Sequence, residues 1–159
     1  MDEPDFVTAQ LHTRHALAIA EQAGNLQGIQ SALATLGIIE RRLGDSDGAL
    51  ASFARALDLA EQLNLQENAA RVLNNIGLAH ADLGDLTAAR VYLDRSLALK
   101  ISLNQGGRLS QDIANSLNNI GALYQSLGDY QQARGYFERA LATLKGLEAP
   151  TQTLNVLSN

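Results

Sequence analysis

Asparagines recur as two adjacent pairs, Asn74-Asn75 and Asn118-Asn119, which are separated by 44 residues. An asparagine amide carries both a donor and an acceptor, so it can bind both polar groups of a peptide backbone without reading the peptide's side chains. The structural alternative is that these amides bond a backbone carbonyl of a neighbouring helix. The pattern therefore indicates either recognition of a peptide backbone or a tie between helices.

Three arginines add a basic character to the same part of the sequence. The guanidinium groups of Arg41, Arg42 and Arg71 could bind an acidic side chain or a C-terminal carboxylate in a bidentate manner. Alternatively, Arg41 and Arg42 are solvated charges near the C-terminus of a helix, where the negative end of the helix dipole stabilises a cation. We expect the partner to be a peptide or protein segment, with an acidic segment as one option. The candidate binding residues are Arg41, Arg42, Arg71, Asn74, Asn75, Asn115, Asn118 and Asn119.

Catalytic and metal chemistry have little basis in the sequence. His12 and His15 lie three residues apart, but no third ligand is paired to them by pattern, so solvated or packed histidines are the simpler interpretation. We find no pattern of nucleophile and base, and no phosphate-binding loop. The pair Gly106-Gly107 is better explained as a linker. We therefore expect no enzyme activity, no metal and no cofactor.

The composition excludes several other classes of protein. The chain has 159 residues, a net charge of -5 and no cysteine, so it has no disulfide framework and no thiolate metal site. The negative charge argues against general binding of nucleic acid, which needs clustered basic residues. No apolar run reaches the roughly 18 residues of a membrane span, and the acidic start does not resemble a signal peptide. We expect a cytoplasmic protein with neither nucleic-acid nor membrane partners.

The elements that position these residues belong to an internal repeat. Gly37, Gly77 and Gly121 are each followed by a Leu-Gly-Asp triplet, at 43–45, 83–85 and 127–129. Between glycine and triplet, apolar residues recur at the three- and four-residue spacing of a helical face. The glycine of each triplet is suited to end one helix in a left-handed conformation, and the aspartate is suited to cap the next. Each copy is therefore predicted to be two antiparallel helices, and the fold class to be all-α.

The repeat boundaries divide a single domain that covers residues 1–159. Complete copies are predicted at 30–69, 70–113 and 114–153, with partial copies at 5–29 and 154–159. A repeat stack needs terminal units with a polar outer face. Half a copy at each end therefore favours an excerpt from a longer solenoid, and the alternative is a native first cap followed by a frayed tail.

The third copy carries the clearest family resemblance. Its diagnostic residues are Leu117, Ile120, Gly121, Tyr124, Gly128, Ala133, Phe137 and Ala140. This pattern resembles the tetratricopeptide repeat, in the long-repeat subclass of kinesin light chains and Leu-Gly-Asn-repeat adaptors. The sequence departs from the family pattern in two ways. Its repeat period is 40 to 44 residues instead of about 34, and it lacks the proline that commonly ends the unit. Glu61, Ile101 and Lys145 stand at that position.

The resemblance implies a right-handed superhelix whose inner groove, lined by the first helix of each copy, binds an extended peptide or a partner helix. In similar long-repeat proteins, asparagines at the positions of Asn75 and Asn119 hold the peptide. The family's carboxylate clamp also needs lysines, and Lys100 and Lys145 fall on second helices, so that clamp is not expected. The predicted function is an interaction module in a sensory or scaffolding part of a larger protein. The alternative is self-assembly, a homo-oligomer formed through open solenoid ends.

Overall fold

The computed structural model describes residues 5–107 and 110–148, and over these residues every regular element is a helix. The all-α prediction is therefore confirmed for the part of the chain that the structure describes. The partial copy predicted at 154–159 lies outside these residues. The seven α-helices are α1 (Phe6–Gln22), α2 (Leu26–Arg42), α3 (Ser46–Gln62), α4 (Gln66–Asp82), α5 (Leu86–Leu103), α6 (Ser110–Ser126) and α7 (Tyr130–Glu148), and one 3-10 turn spans Gln105–Gly107.

The chain divides into two compact units, one ending at Leu99 and the other beginning at Lys100. In the first unit α1 packs on α2, α2 on α3, and α3 on α4, while Ser96 Oγ of α5 donates to the Ala70 carbonyl of α4 at 2.6 Å. In the second unit α6 packs on α7. Three-residue connections join the helices of each pair, so the paired helices run antiparallel. The predicted copies start at 30, 70 and 114, in each case four residues after the first residue of α2, α4 or α6.

The Leu-Gly-Asp triplets form the turn inside each pair, as the sequence predicts. Gly128 has a φ of 78°, a conformation that glycine adopts at little cost. The next residue, Asp129, accepts a hydrogen bond at its Oδ1 from the backbone N–H of Gln132 at 3.1 Å and so caps α7. The same geometry recurs with Gly44 and Asp45 before α3 and with Gly84 and Asp85 before α5.

Glycine on the first helix and a large side chain on the second set the spacing of each pair. A β-carbon added at Gly37 would lie 2.6 Å from the ring of Phe53, which is fully buried. Equivalent contacts pair Gly77 with Leu93 and Gly121 with Phe137, at 2.7 Å in both cases. The first copy's core then continues through the buried side chains of Leu33, Ala49, Ala56, Val72 and Ile76. Close helix approach is therefore built into every copy.

The copies differ at the position that Tyr124 occupies in the third copy. His80 stacks on Tyr92 and Tyr124 stacks on Tyr136, with ring centroids 5.3 and 5.4 Å apart. In the first copy the corresponding residues are Glu40 and Ser52. The Ser52 hydroxyl donates to the buried Glu40 carboxylate at 2.6 Å, so a hydrogen bond replaces the ring stack.

Replacing Gly37 by alanine should destabilise the fold by about 1–3 kcal/mol, because the new methyl group would collide with the Phe53 ring in a packed core. Urea unfolding followed by circular dichroism would measure the change. Gly135→Ala is the matched control, since a β-carbon there meets nothing within 4 Å. Because alanine favours a helix by up to about 1 kcal/mol over glycine, the control should stabilise the protein. Stabilisation by both substitutions would contradict the spacing role of Gly37.

Candidate functional site

A concavity of about 300 Å³ lies on one face of α2 and α4 in the first unit. Its residues recur at three- and four-residue spacing along each helix, so they form one stripe on α2 and one on α4. Ala34, Ile38 and Val72 are apolar, and the other lining residues are polar or charged. The lining residues are Gln30, Ser31, Ala34, Thr35, Ile38, Asn68, Arg71, Val72 and Asn75. We call this concavity the α2–α4 groove.

Asn75 lies in the α2–α4 groove with a half-buried side chain. Among the described residues its amide has no hydrogen-bond partner, so this asparagine does not tie its helix to a described neighbour. Asn74 is also half-buried, but it does not line the groove and already interacts with another group. The amide of Asn75 is therefore the one of this pair that can bind a ligand in the groove.

Arg71 is held in the same groove by a chain of two hydrogen bonds. The Asn68 Nδ2 donates to Oε1 of Gln30 at 2.8 Å, and Gln30 is only 1% exposed. Arg71 Nη2 in turn donates to the Asn68 Oδ1 at 2.5 Å. No described carboxylate forms an ion pair with Arg71. The buried Gln30 therefore anchors a guanidinium that retains donors for an acidic group.

The other two predicted arginines are placed differently from Arg71. Arg41 pairs with Asp82, with its Nη1 2.9 Å from the Asp82 Oδ2, and its side chain is only 17% exposed. The buried Nε of Arg41 has no hydrogen-bond partner among the described residues. Arg42 is exposed and does not line the α2–α4 groove. The structure thus brings only Arg71 of the three together with Asn75.

The remaining candidate asparagines all lie on α6, in the second unit. Asn115 is exposed and accepts a hydrogen bond from the Gln111 amide at 3.2 Å. Asn118 is exposed, and its side chain has no hydrogen-bond partner among the described residues. Asn119 is half-buried and interacts with another group. Of the three, only Asn118 has a side chain that is both exposed and without a described partner.

A second concavity, of about 440 Å³, lies between α1 and α2 and adjoins the groove. It shares Ser31 and Thr35 with the α2–α4 groove and adds His12 and Thr13 from α1. From the sequence His12 was interpreted as a solvated or packed histidine in preference to a metal ligand, and neither Asn68 nor Gln30 was among the predicted binding residues. Asn68 occurs three residues before Arg71, so helical spacing alone could have suggested the contact between them.

The described residues contain neither a cluster of metal ligands nor a membrane-spanning helix. Neither histidines, cysteines nor carboxylates form a group of three or more that could hold a metal ion. No described helix is both long and apolar enough to cross a membrane. The groove offers hydrogen-bond donors and acceptors beside the apolar side chains of Ala34, Ile38 and Val72, an arrangement that is suited to binding.

A model of the tetratricopeptide repeat matches the chain three times, at residues 28–102, 68–146 and 112–159. The chain belongs to the tetratricopeptide-repeat family. This confirms the resemblance found in the third copy. Proteins of this fold are typically non-catalytic, and membership supports a protein-interaction or scaffold module in general.

Solved structures with the same fold include tetratricopeptide proteins of different lengths. BtubC (BKLC) from P. vanneervenii superposes with a TM-score of 0.80 at 23% identity, over 97% of this chain and 64% of BtubC. A Rap protein in complex with Competence and Sporulation Factor superposes with a TM-score of 0.79 at 22% identity, over 91% of this chain and 40% of the Rap chain. The tetratricopeptide domain of Arabidopsis FLU superposes with a TM-score of 0.63 at 22% identity, over 74% of this chain and 95% of the FLU domain. The chain thus spans less than two thirds of the length of BtubC and of Rap. A comparison with curated proteins found no match.

The ion pair between Arg41 and Asp82 should stabilise the first unit independently of any ligand. A double-mutant cycle with Arg41→Gln and Asp82→Asn, measured by urea unfolding, should give a coupling of about 0.5–1 kcal/mol, because the pair is partly screened by solvent. High salt should reduce this coupling. A coupling near zero at low salt would mean that Arg41 is available to an external acid.

Proposed function

We propose that the α2–α4 groove binds an extended peptide or protein segment through its backbone, with Asn75 as the principal contact. The observation that carries this proposal is the half-buried amide of Asn75, which lines the groove and has no hydrogen-bond partner among the described residues. A hydrogen bond to a partner peptide would satisfy this amide at the moment of binding. Backbone recognition of this kind holds a chain without demanding one sequence.

Side-chain preference would come from the residues on either side of Asn75. Ile38 and Val72 offer an apolar contact, while Arg71 offers a fork of donors to a carboxylate. Successive side chains of an extended peptide point in opposite directions, so only alternate residues would face the groove floor. We therefore expect a segment with an acidic residue near one apolar residue.

The Rap protein lends the proposal support at the level of the fold. Its structure was solved in complex with Competence and Sporulation Factor, so a protein with this helical arrangement can hold a separate ligand. For this chain we infer a sensory or scaffolding contact with a protein partner. Asn118 and Asn119 on α6 remain proposed contacts, because their positions repeat those of Asn74 and Asn75.

Self-assembly is a second candidate, favoured by the surface of α1. Val7 and Leu11 are each 68% exposed there, whereas Asp47 and Ala51 occupy the corresponding positions of α3. Exposed apolar residues that cluster in this way are typical of association surfaces. A second copy of the chain could cover them.

Selection from a library of random peptides displayed on phage tests the groove directly. Peptides selected on the wild-type protein should bind Asn75→Ala about tenfold more weakly, since the substitution removes a hydrogen bond to the peptide backbone. Asn64→Gly is the control: it removes an amide outside the groove, at a residue whose φ of 54° glycine tolerates. Circular dichroism would establish that both variants fold.

Equal binding by wild type and Asn75→Ala would remove Asn75 from the proposal. Failure to select any peptide would contradict groove binding as a whole. If, in addition, the mass in solution rises with concentration and Leu11→Glu abolishes that rise, self-assembly becomes the better account.

Arg71 should determine the preference for acidic peptides. We expect aspartate or glutamate to be enriched at one position of the selected peptides, and Arg71→Gln to weaken their binding by about tenfold. Arg42→Gln is the matched control, because Arg42 is exposed and lies outside the groove. The same enrichment on Arg71→Gln as on wild type would contradict this role.

A further inference from the structure

The first unit contains another concavity, of about 440 Å³, formed by the C-terminal ends of α3 and α5 and the N-terminal end of α4. It shares no residue with the α2–α4 groove. The lining residues are Ala60, Glu61, Asn64, Gln66, Ala69, Leu73, Arg95, Ala98 and Leu99. We call it the α3–α5 pocket. Its volume lies in the range of about 300–1,000 Å³ that is usual for small-molecule sites.

The α3–α5 pocket combines an apolar floor with a charged rim. Ala60, Ala69 and Leu73 are buried and form the floor, so an apolar group of a ligand would be shielded from water there. Glu61 and Arg95 are exposed and supply one charge of each sign. The amides of Asn64 and Gln66 also line the pocket. An apolar pocket with a few convergent polar groups is the common form of a ligand site.

The charges of the pocket have counterparts 40 residues earlier in the chain. Glu21 and Arg55 stand at the positions of Glu61 and Arg95 in the repeat, and they form an ion pair between α1 and α3 with N and O 3.2 Å apart. Glu61 and Arg95 form no ion pair with each other or with any other described residue. The same two repeat positions thus form an ion pair between α1 and α3, whereas the equivalent residues of α3 and α5 are not paired.

A neighbouring aromatic residue distinguishes Arg95 from Arg55. The guanidinium of Arg95 lies over the ring of Tyr92 at 5.8 Å, an attraction between a cation and the face of an aromatic ring. Arg139 lies over Tyr136 in the same way, at 5.0 Å. Arg55 has Ser52 three residues before it and therefore no such ring. Tyr92 thus gives Arg95 a partner that Arg55 lacks, and in this structure Arg95 lies over that ring and forms no ion pair with Glu61.

We propose that the α3–α5 pocket binds a small zwitterion with an apolar body, namely a free apolar L-amino acid. The carboxylate of the ligand would accept hydrogen bonds from the Arg95 guanidinium, and its ammonium would donate to the Glu61 carboxylate. The side chain would pack on Ala60, Ala69 and Leu73. A ligand with one charge would leave either Glu61 or Arg95 without a partner, so both charges are needed for full affinity.

This proposal does not depend on peptide binding, because no residue of the α3–α5 pocket belongs to the α2–α4 groove. Either proposal can fail without the other.

Isothermal titration calorimetry on the full chain tests the α3–α5 pocket, with L-alanine, L-valine, L-leucine, L-isoleucine, L-methionine and L-phenylalanine as probes. At least one of them should bind saturably at one site per chain. Its N-acetyl derivative lacks the ammonium and its amide lacks the carboxylate, so each should bind at least about tenfold more weakly.

Two variants assign the charges to their partners. Glu61→Gln should weaken the free amino acid about tenfold and abolish its advantage over the N-acetyl derivative. Arg95→Gln should instead abolish the higher affinity of the free amino acid relative to its amide. The control variants Glu21→Gln and Arg55→Gln remove the equivalent charges outside the pocket and should leave binding unchanged. Circular dichroism would establish that all four variants fold.

Two results would overturn the proposal. One is the absence of saturable binding by all six amino acids at millimolar concentration to the folded protein. The other is binding that neither Glu61→Gln nor Arg95→Gln weakens, which would place the ligand elsewhere.

Discussion

The approach of two helices at a glycine is the contact on which every copy of the repeat depends. At Gly37 the backbone of α2 lies against the ring of Phe53, and a single methyl group has no room there. Because one face of α2 is committed to that contact, the opposite face is left without a role in the pair. The sequence repeats this contact between Gly77 and Leu93, so α4 presents a corresponding free face beside α2. The α2–α4 groove is the result.

Apart from Val72, which is buried in the core, the side chains of these faces have little part in packing, and the groove can therefore hold polar groups that a core would exclude. Among the polar residues of the groove, Gln30 is almost fully buried, and its hydrogen bond with Asn68 compensates for that burial. Through Asn68 this buried amide fixes the position of Arg71. The groove thus combines a hydrogen-bonded guanidinium with the unbonded amide of Asn75, and a side chain that is already held by a hydrogen bond loses less conformational entropy on binding than a free one.

Local chemistry could be predicted from the sequence, whereas contacts between distant side chains could not. The Leu-Gly-Asp turns were predictable because a left-handed glycine and a capping aspartate act within a few residues of each other. Asn75 and Arg71 line the same groove, and helical spacing alone assigns them to one face of α4. The pairing of Arg41 with Asp82 was missed because it joins residues far apart in sequence, at the C-terminal ends of two helices. The absence of an ion pair between Glu61 and Arg95, and the contact of Arg95 with the Tyr92 ring, are not revealed by a pattern of residue types.

The side-chain amide of Asn75 offers the most direct test of the account. In an isotope-labelled protein, its two N–H resonances would be followed by nuclear magnetic resonance while a peptide selected on the wild-type protein is added. The account predicts a saturable shift of these resonances with the same dissociation constant as the peptide itself, and no shift for the amide of Asn64. Saturable binding that leaves the Asn75 resonances unchanged and perturbs α1 or α7 instead would contradict it.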